Sequence, residues 1–204
     1  MADTKENILL TALRLFAADG YEAVSVSTIA GALGIAKSAL YKHYKNKRAI
    51  FDSIVQRMRE MDAERASAYE VPEGTLEEMA EAYQQTQFEK IREFSKAQFR
   101  YWTEDAFASC FRKMLTLEQY RSPEMSQLFQ QYLASGPMEY LKDLFSSMLG
   151  DQAEAAQLAV RFYAPMFFLY SVYDGTENQK AVSEMLFQHL DEFTREWMQR
   201  RPLS

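Results

Sequence analysis

Apolar residues recur at helical spacing along nearly all of this chain, and nowhere do they alternate with period two over several residues. A chain patterned this way buries apolar stripes between helices and offers no run suited to a half-buried strand. Breakers are few. The sequence holds 7 glycines and 5 prolines, and the clearest interruptions are Pro72 with Gly74, Ser122-Pro123, Gly136-Pro137 and Asp174-Gly175-Thr176. The expected class is all-α. At 204 residues, with 48% apolar and 25% charged residues, the chain has the composition of an ordinary globular protein able to bury a sizeable core.

Helix signals divide the first part of the chain into four elements. Asp3 and Glu6 resemble a capping box, and Ile8, Ala12, Leu15 and Phe16 follow on one face until Gly20. Ser25 is placed to cap a short second helix carrying Ile29, Ala30 and Leu33 inward, and Gly34 permits a sharp turn. A third short helix is expected from about Lys37 to Tyr44. Asn46 can cap a fourth, with Ile50, Phe51, Ile54, Val55 and Met58 on its inner face. Beyond Gly74, a stripe from Leu76 to Phe94 leads into helices at about 95–101 and 104–120. A helix kinked or broken at Gly136-Pro137 comes next, then two long ones at 151–173 and 177–200.

Charge is divided unevenly along the chain. Residues 1–60 hold 9 basic and 6 acidic side chains, a net of +3, while residues 61–204 hold 14 and 23, a net of −9. Lys37, Lys42, Lys45, Lys47 and Arg48 form a run without an intervening acid. A basic end on an acidic body suits a small DNA-reading head, although a solvated basic helix face has the same signature.

Two short helices joined at a glycine turn, between a preceding and a following helix, form the helix-turn-helix arrangement, here at about 25–44. Helical geometry sorts the third helix at about 100° per residue. With Leu40 inward, Tyr44 shares its face, Ser38 and Lys42 point directly outward, and Ala39 and Tyr41 flank them. Outward side chains meet base edges in a major groove and flanking ones meet phosphates. Ser38 and Lys42, followed by Lys37 near the helix start, are therefore the expected base contacts. Tyr41 and His43 suit phosphates through their polar tips. Lys47 begins the next helix, where a cation opposes the dipole unless an anion joins it, so it is expected to help hold a phosphate. Ser27 and Thr28, opening the second helix, are expected on the opposite strand's phosphates.

The residues Gly20-Tyr21, Ile29-Ala30, Leu33-Gly34-Ile35, Leu40-Tyr41-Lys42-His43-Tyr44 and Lys45-Asn46-Lys47 closely resemble the TetR family of bacterial transcriptional regulators over about residues 5–58. The resemblance implies a three-helix DNA-binding domain at residues 1–58 and a helical ligand-binding and dimerisation domain at 59–204. It also implies repression relieved by a small molecule. Two positions depart from the family pattern. Ala36 replaces a common Ser or Thr, removing a cap, and Ala39 replaces a frequent hydroxyl, turning a polar contact toward a thymine methyl.

In the last helix Val182, Met185, Leu186, His189, Leu190 and Phe193 form an apolar stripe. The helix before it, which includes Phe162, Tyr163, Met166 and Tyr170, is apolar on more than one face. A helix apolar nearly all round must be covered on all sides, by the protomer's own core or by a second copy. The expectation here is a four-helix homodimer contact, with two heads on an inverted-repeat operator of double-stranded DNA. Tyr83, Gln87, Trp102, Phe107, Phe111 and Tyr132 are candidates to line a pocket for an apolar or aromatic ligand, although each also suits plain core packing.

Cys110 is the single cysteine, which rules out an intrachain disulfide and suits a reducing compartment, and it reads more simply as a small buried hydrophobe than as a redox sensor. His189 on its apolar stripe reads as a hydrogen-bonded core residue. The two histidines and one cysteine are too dispersed for a zinc site, so neither metal nor cofactor is expected. The longest uncharged apolar stretch, from Phe162 to Tyr173, is too short to span a bilayer, and no signal peptide is apparent; the expected location is the cytoplasm. No nucleophile–histidine–acid set or glycine-rich phosphate loop supports an enzyme. A ligand-released repressor is the leading expectation. An architectural or partner-recruiting DNA binder without an inducer is the alternative.

Overall fold

The structure, a computed structural model, describes residues 4–68 and 88–200. Every element among them is a helix: α1 (Thr4–Asp19), α2 (Val26–Ala32), α3 (Lys37–Tyr41), α4 (Lys47–Ala68), α5 (Phe88–Glu104), α6 (Ala106–Glu118), α7 (Pro123–Leu133), α8 (Ser135–Leu149), α9 (Gln152–Asp174) and α10 (Gln179–Arg200). The chain forms two compact units. One comprises the described residues up to Ala68 together with Ala106–Phe129, and the other Phe88–Asp105 together with the described residues from Gln130 onward.

In the first unit α1 is the central element, packed on α2, α4 and α6. Its buried stripe is Ile8, Leu9, Ala12, Leu13 and Phe16, while Leu15 stays half-exposed. Ile50, Phe51, Ile54, Val55 and Met58 of α4 are all buried, as their spacing requires. Each fully buried aliphatic side chain of this kind contributes roughly 1.5–3 kcal/mol. Two ion pairs fasten the rim. Glu6 of α1 pairs with Arg57 of α4, whose guanidinium lies 5.0 Å from the centre of the Phe107 ring. Arg48 reaches Glu124 through two 2.6 Å hydrogen bonds. Asp3, the other half of the expected capping box, lies outside the described residues.

In the second unit α9 packs on α8, α10 and α5, and α10 also packs on α5. An aromatic cluster joins α8, α9 and α10: Phe162 meets Phe193 at 5.1 Å and Phe145 at 6.0 Å. Phe99 of α5 stacks on Tyr170 at 5.2 Å. Asp151 caps α9, accepting from the backbone N–H groups of Ala153 and Glu154. The break expected at Gly136-Pro137 falls at Ala134, whose φ of −128° and ψ of −96° interrupt the helix. Pro137 sits in the first turn of α8, where a missing N–H leaves no helical bond unmade.

Candidate nucleic-acid interface

The turn between α2 and α3 is set by local chemistry. Ser25 caps α2 by accepting from the Thr28 N–H at 3.0 Å, and the Thr28 hydroxyl returns to Ser25, 3.3 Å from its N–H and 2.8 Å from its hydroxyl. Thr28 is thus a structural member of a reciprocal cap as well as an exposed side chain; Ser27 beside it is exposed. Gly34 adopts a φ of +65°, a conformation L side chains rarely take, and redirects the chain into α3. Ala36 stands at the N-cap of α3 with no side-chain hydrogen bond, so the first turn of this helix lacks the usual support.

The third helix is shorter than its periodicity suggested. After Tyr41 it tightens, with the N–H groups of Lys42 and His43 donating to the carbonyls of Ala39 and Leu40 three residues back. The faces keep the expected division. Leu40 and Tyr44 are buried, and Lys37, Ser38, Tyr41, Lys42 and His43 are exposed. Ala39 is half-buried between them. The Lys37 ammonium lies 5.8 Å from the centre of the Tyr41 ring, one turn along.

The basic run divides into two groups. Lys37, Lys42 and Lys45 have no carboxylate partner among the described residues. Lys47 and Arg48 are engaged within the protein. Lys47 donates to the Tyr21 carbonyl at 2.7 Å, lies 3.8 Å from the Glu22 carboxylate, and sits 4.2 Å from the centre of the Tyr21 ring. Arg48 pairs with Asp52 and Glu124, and these hydrogen bonds raise its already high pKa further. Asn46 caps α4 by accepting from the Ala49 N–H at 2.8 Å. The start of α4 therefore holds Lys47 close to the α1–α2 turn, with part of its side chain still exposed.

Of the residues read as pocket-lining, Tyr83 and Gln87 lie outside the described residues. Phe107 and Phe111 are buried in the first unit. Trp102 and Tyr132 are buried in the second, edge to face at 6.2 Å. Of the residues read as dimer contacts, Phe162, Tyr163, Met166, Tyr170, Val182, Leu186, Leu190 and Phe193 are buried in the protomer. Tyr163 donates its hydroxyl to the Leu133 carbonyl at 2.8 Å, and burial pushes its pKa up. His189 is half-buried and hydrogen-bonded to the Arg161 carbonyl oxygen at 3.1 Å. Met185 alone of the ten is well exposed. The other large apolar side chains exposed on these two helices are Val160, Phe167 and Phe168. With Ala164 and Ser171, also exposed, they follow one face of α9 at gaps of four, three, one and three. Periodicity along two helices apolar on several sides does not separate the stripe facing the protomer's core from the stripe left outside.

Two residues that organise the head were not legible as such. Tyr21 was visible only as part of a motif, yet its ring packs on Phe16 at 5.0 Å and Phe51 at 5.3 Å. Burial raises the pKa of its phenol, with Arg48 opposing. Glu118, at the end of α6, belongs to no motif and has no local signal, yet it is buried against the α1–α2 turn.

Comparison with known proteins agrees with this geometry. Residues 8–54 match the family model described as bacterial regulatory proteins, tetR family. The uncharacterised HTH-type transcriptional regulator YerO of Bacillus subtilis is 44% identical over 50 residues, which are 24% of this chain and 17% of that protein. The class C tetracycline repressor protein of Escherichia coli is 39% identical over 54 residues, 26% of this chain and 25% of that one. The chain thus matches a quarter or less of these relatives' length. Across nearly the whole chain the fold resembles that of a TetR-family transcriptional regulator from Bordetella parapertussis, with a TM-score of 0.62 at 17% identity, covering 93% of this chain and 95% of that one. It also resembles the fatty acid degradation regulator FadR from Bacillus halodurans, with a TM-score of 0.58 at 18% identity, covering 93% and 96%.

Proposed function

The chain belongs to the TetR family of transcriptional regulators through its amino-terminal helix-turn-helix, and from that premise we propose a homodimeric repressor that a small apolar or aromatic molecule releases from an inverted-repeat operator. Operator reading is assigned to residues 1–58, and ligand capture and dimerisation to residues 59–204. The observation that carries the reading is the outward face of α3. Lys37, Ser38, Tyr41, Lys42 and His43 stand exposed above the buried Leu40 and Tyr44, and three nearby cations are without carboxylate partners among the described residues. Cations left unpaired beside a groove-sized helix suit a phosphate backbone, because each phosphate neutralised releases counterions. Ser38 and Lys42 read bases; Tyr41, His43, Lys47, Ser27 and Thr28 hold phosphates.

Dimerisation is assigned to the exposed apolar face of α9, with Val160, Phe167 and Phe168, and to Met185 of α10. Two-fold pairing of this face buries apolar side chains that the protomer leaves in water. The relatives support a releasing ligand only by name: one is a tetracycline repressor, and one structural neighbour is a fatty acid degradation regulator.

The test is selection of bound duplexes from a randomised pool. The expected product is an inverted repeat bound by two protomers. Phe168→Glu should sediment as a monomer and lose the two-half-site preference. Addition of a panel of fatty acids and aromatic compounds should then displace the wild-type protein from the selected duplex. A recovered site without two-fold symmetry, or a Phe168→Glu protein that remains dimeric, contradicts the assignment.

A further inference from the structure

Glu118 occupies a position that elementary electrostatics disfavours twice. It is only 1% exposed, and it lies at the C-terminal end of α6, where the helix dipole repels a carboxylate. Its partners explain what holds it there. The Tyr21 N–H donates to Glu118 Oε1 at 3.0 Å, and Arg121, itself largely exposed, lies 3.2 Å from the same oxygen. Opposite this oxygen the chain makes room in a way only glycine allows. Gly20 has a φ of +87°, and a Cβ there would stand 2.6 Å from Glu118 Oε1.

Residue 21 is consequently held from both sides of its backbone. Its N–H is fixed by Glu118 of α6, and its carbonyl accepts from Lys47 at the start of α4. The Lys47 ammonium, 4.2 Å from the centre of the Tyr21 ring, has its direction set by that carbonyl and that ring. An ammonium carries three donors. With one on the Tyr21 carbonyl at 2.7 Å, a second on the Glu22 carbonyl at 3.4 Å and the side chain still partly exposed, Lys47 keeps one donor for a phosphate oxygen.

We propose that Glu118 is a positioning residue for DNA binding: through residue 21 it fixes the Lys47 ammonium where it meets a phosphate, so that α6 sets the head's affinity without touching DNA. The inference rests on the reading of Lys47 as a phosphate contact. Releasing the Tyr21 N–H from Glu118 lets the turn relax, and Lys47 follows its carbonyl away from the phosphate.

The salt dependence of binding separates positioning from plain stability. The duplex used is one that the wild-type protein selects from a randomised pool, measured with the full chain by fluorescence anisotropy. Glu118→Leu should weaken binding about tenfold and reduce the log–log salt slope by about one for each phosphate that Lys47 no longer neutralises. Glu118→Gln keeps an oxygen acceptor for the Tyr21 N–H and should restore both. Glu118→Leu combined with Lys47→Ala should bind no more weakly than Lys47→Ala alone. An unchanged slope for Glu118→Leu, or additive losses in the double variant, overturns the proposal, because loss of folded protein lowers the active fraction and leaves the slope of the remainder intact.

A second measurement does not depend on any variant folding. Hydrogen exchange at the Tyr21 amide of the wild-type protein should slow about tenfold or more on adding the selected duplex, since a phosphate on Lys47 pins the joint. Exchange unaffected by the duplex also overturns the proposal. A pool from which the wild-type protein selects no duplex removes the DNA-binding reading itself, an outcome distinct from a bound duplex with an unaltered Glu118 variant.

Discussion

The two ends of one basic run behave differently, although five of its residues carry the same charge. Lys37, Lys42 and Lys45 project without carboxylate partners among the described residues. Lys47 and Arg48, only two and three positions further along, are engaged by Tyr21, Glu22, Asp52 and Glu124. Charge density in a sequence is therefore a poor measure of which cations lack a carboxylate partner. On the reading proposed above, the cations without carboxylate partners act on a phosphate backbone through counterion release, whereas Lys47 meets its phosphate in a direction fixed by its partners and Arg48 is engaged within the protein. A composition count treats both groups alike; their partners distinguish them.

That contrast can be broken most severely from beneath. Leu40 is fully buried under the outward face, and Leu40→Ala should destabilise the first unit by about 2–5 kcal/mol and abolish DNA binding near its melting temperature. Thermal denaturation followed by circular dichroism measures the first effect and anisotropy the second. Neutralising the unpaired group comes next. Lys37, Lys42 and Lys45 changed together to Ala should lower affinity by orders of magnitude at moderate salt and cut the salt slope by about 0.9 for every phosphate left unneutralised, while the melting temperature barely moves. A smaller change is expected at the start of α3. Ala36→Ser supplies the cap that α3 lacks and should stabilise the first unit by about 1 kcal/mol, read as a raised denaturation midpoint. Smallest is Arg48→Ala. Its pairs with Glu124 and Asp52 are about half exposed, so the loss should stay near 0–1 kcal/mol and leave the salt slope unaltered.

The all-helical class was legible because the apolar spacing repeats with one period throughout, and every element among the described residues is an α-helix. With Leu40 taken as inward, helical spacing set Tyr44 on the same side, and both are buried although the helix ends at Tyr41. That end was not legible. The N–H groups of Lys42 and His43 bond three residues back, a change that neither residue type announces. The setting of Lys47 was half legible: its place at a helix start was apparent, but its hold on the Tyr21 carbonyl depends on a contact 26 residues away in the chain. Glu118 was not legible at all, because its partner Tyr21 is 97 residues distant and a lone glutamate at a helix end reads as a solvated charge. On α9 and α10 the difficulty was different. Both stripes are apolar, and only packing shows that Phe162 and Leu190 face the core while Phe168 remains outside.

The measurement closest to the central claim is the base preference of Lys42→Ala compared with that of the wild-type protein across a randomised operator library. If the outward face of α3 reads sequence, the variant should lose discrimination at one base position in each half-site, by about 1–3 kcal/mol, and retain it elsewhere. A variant with an unchanged preference at every position, weakened uniformly or not at all, would contradict the account.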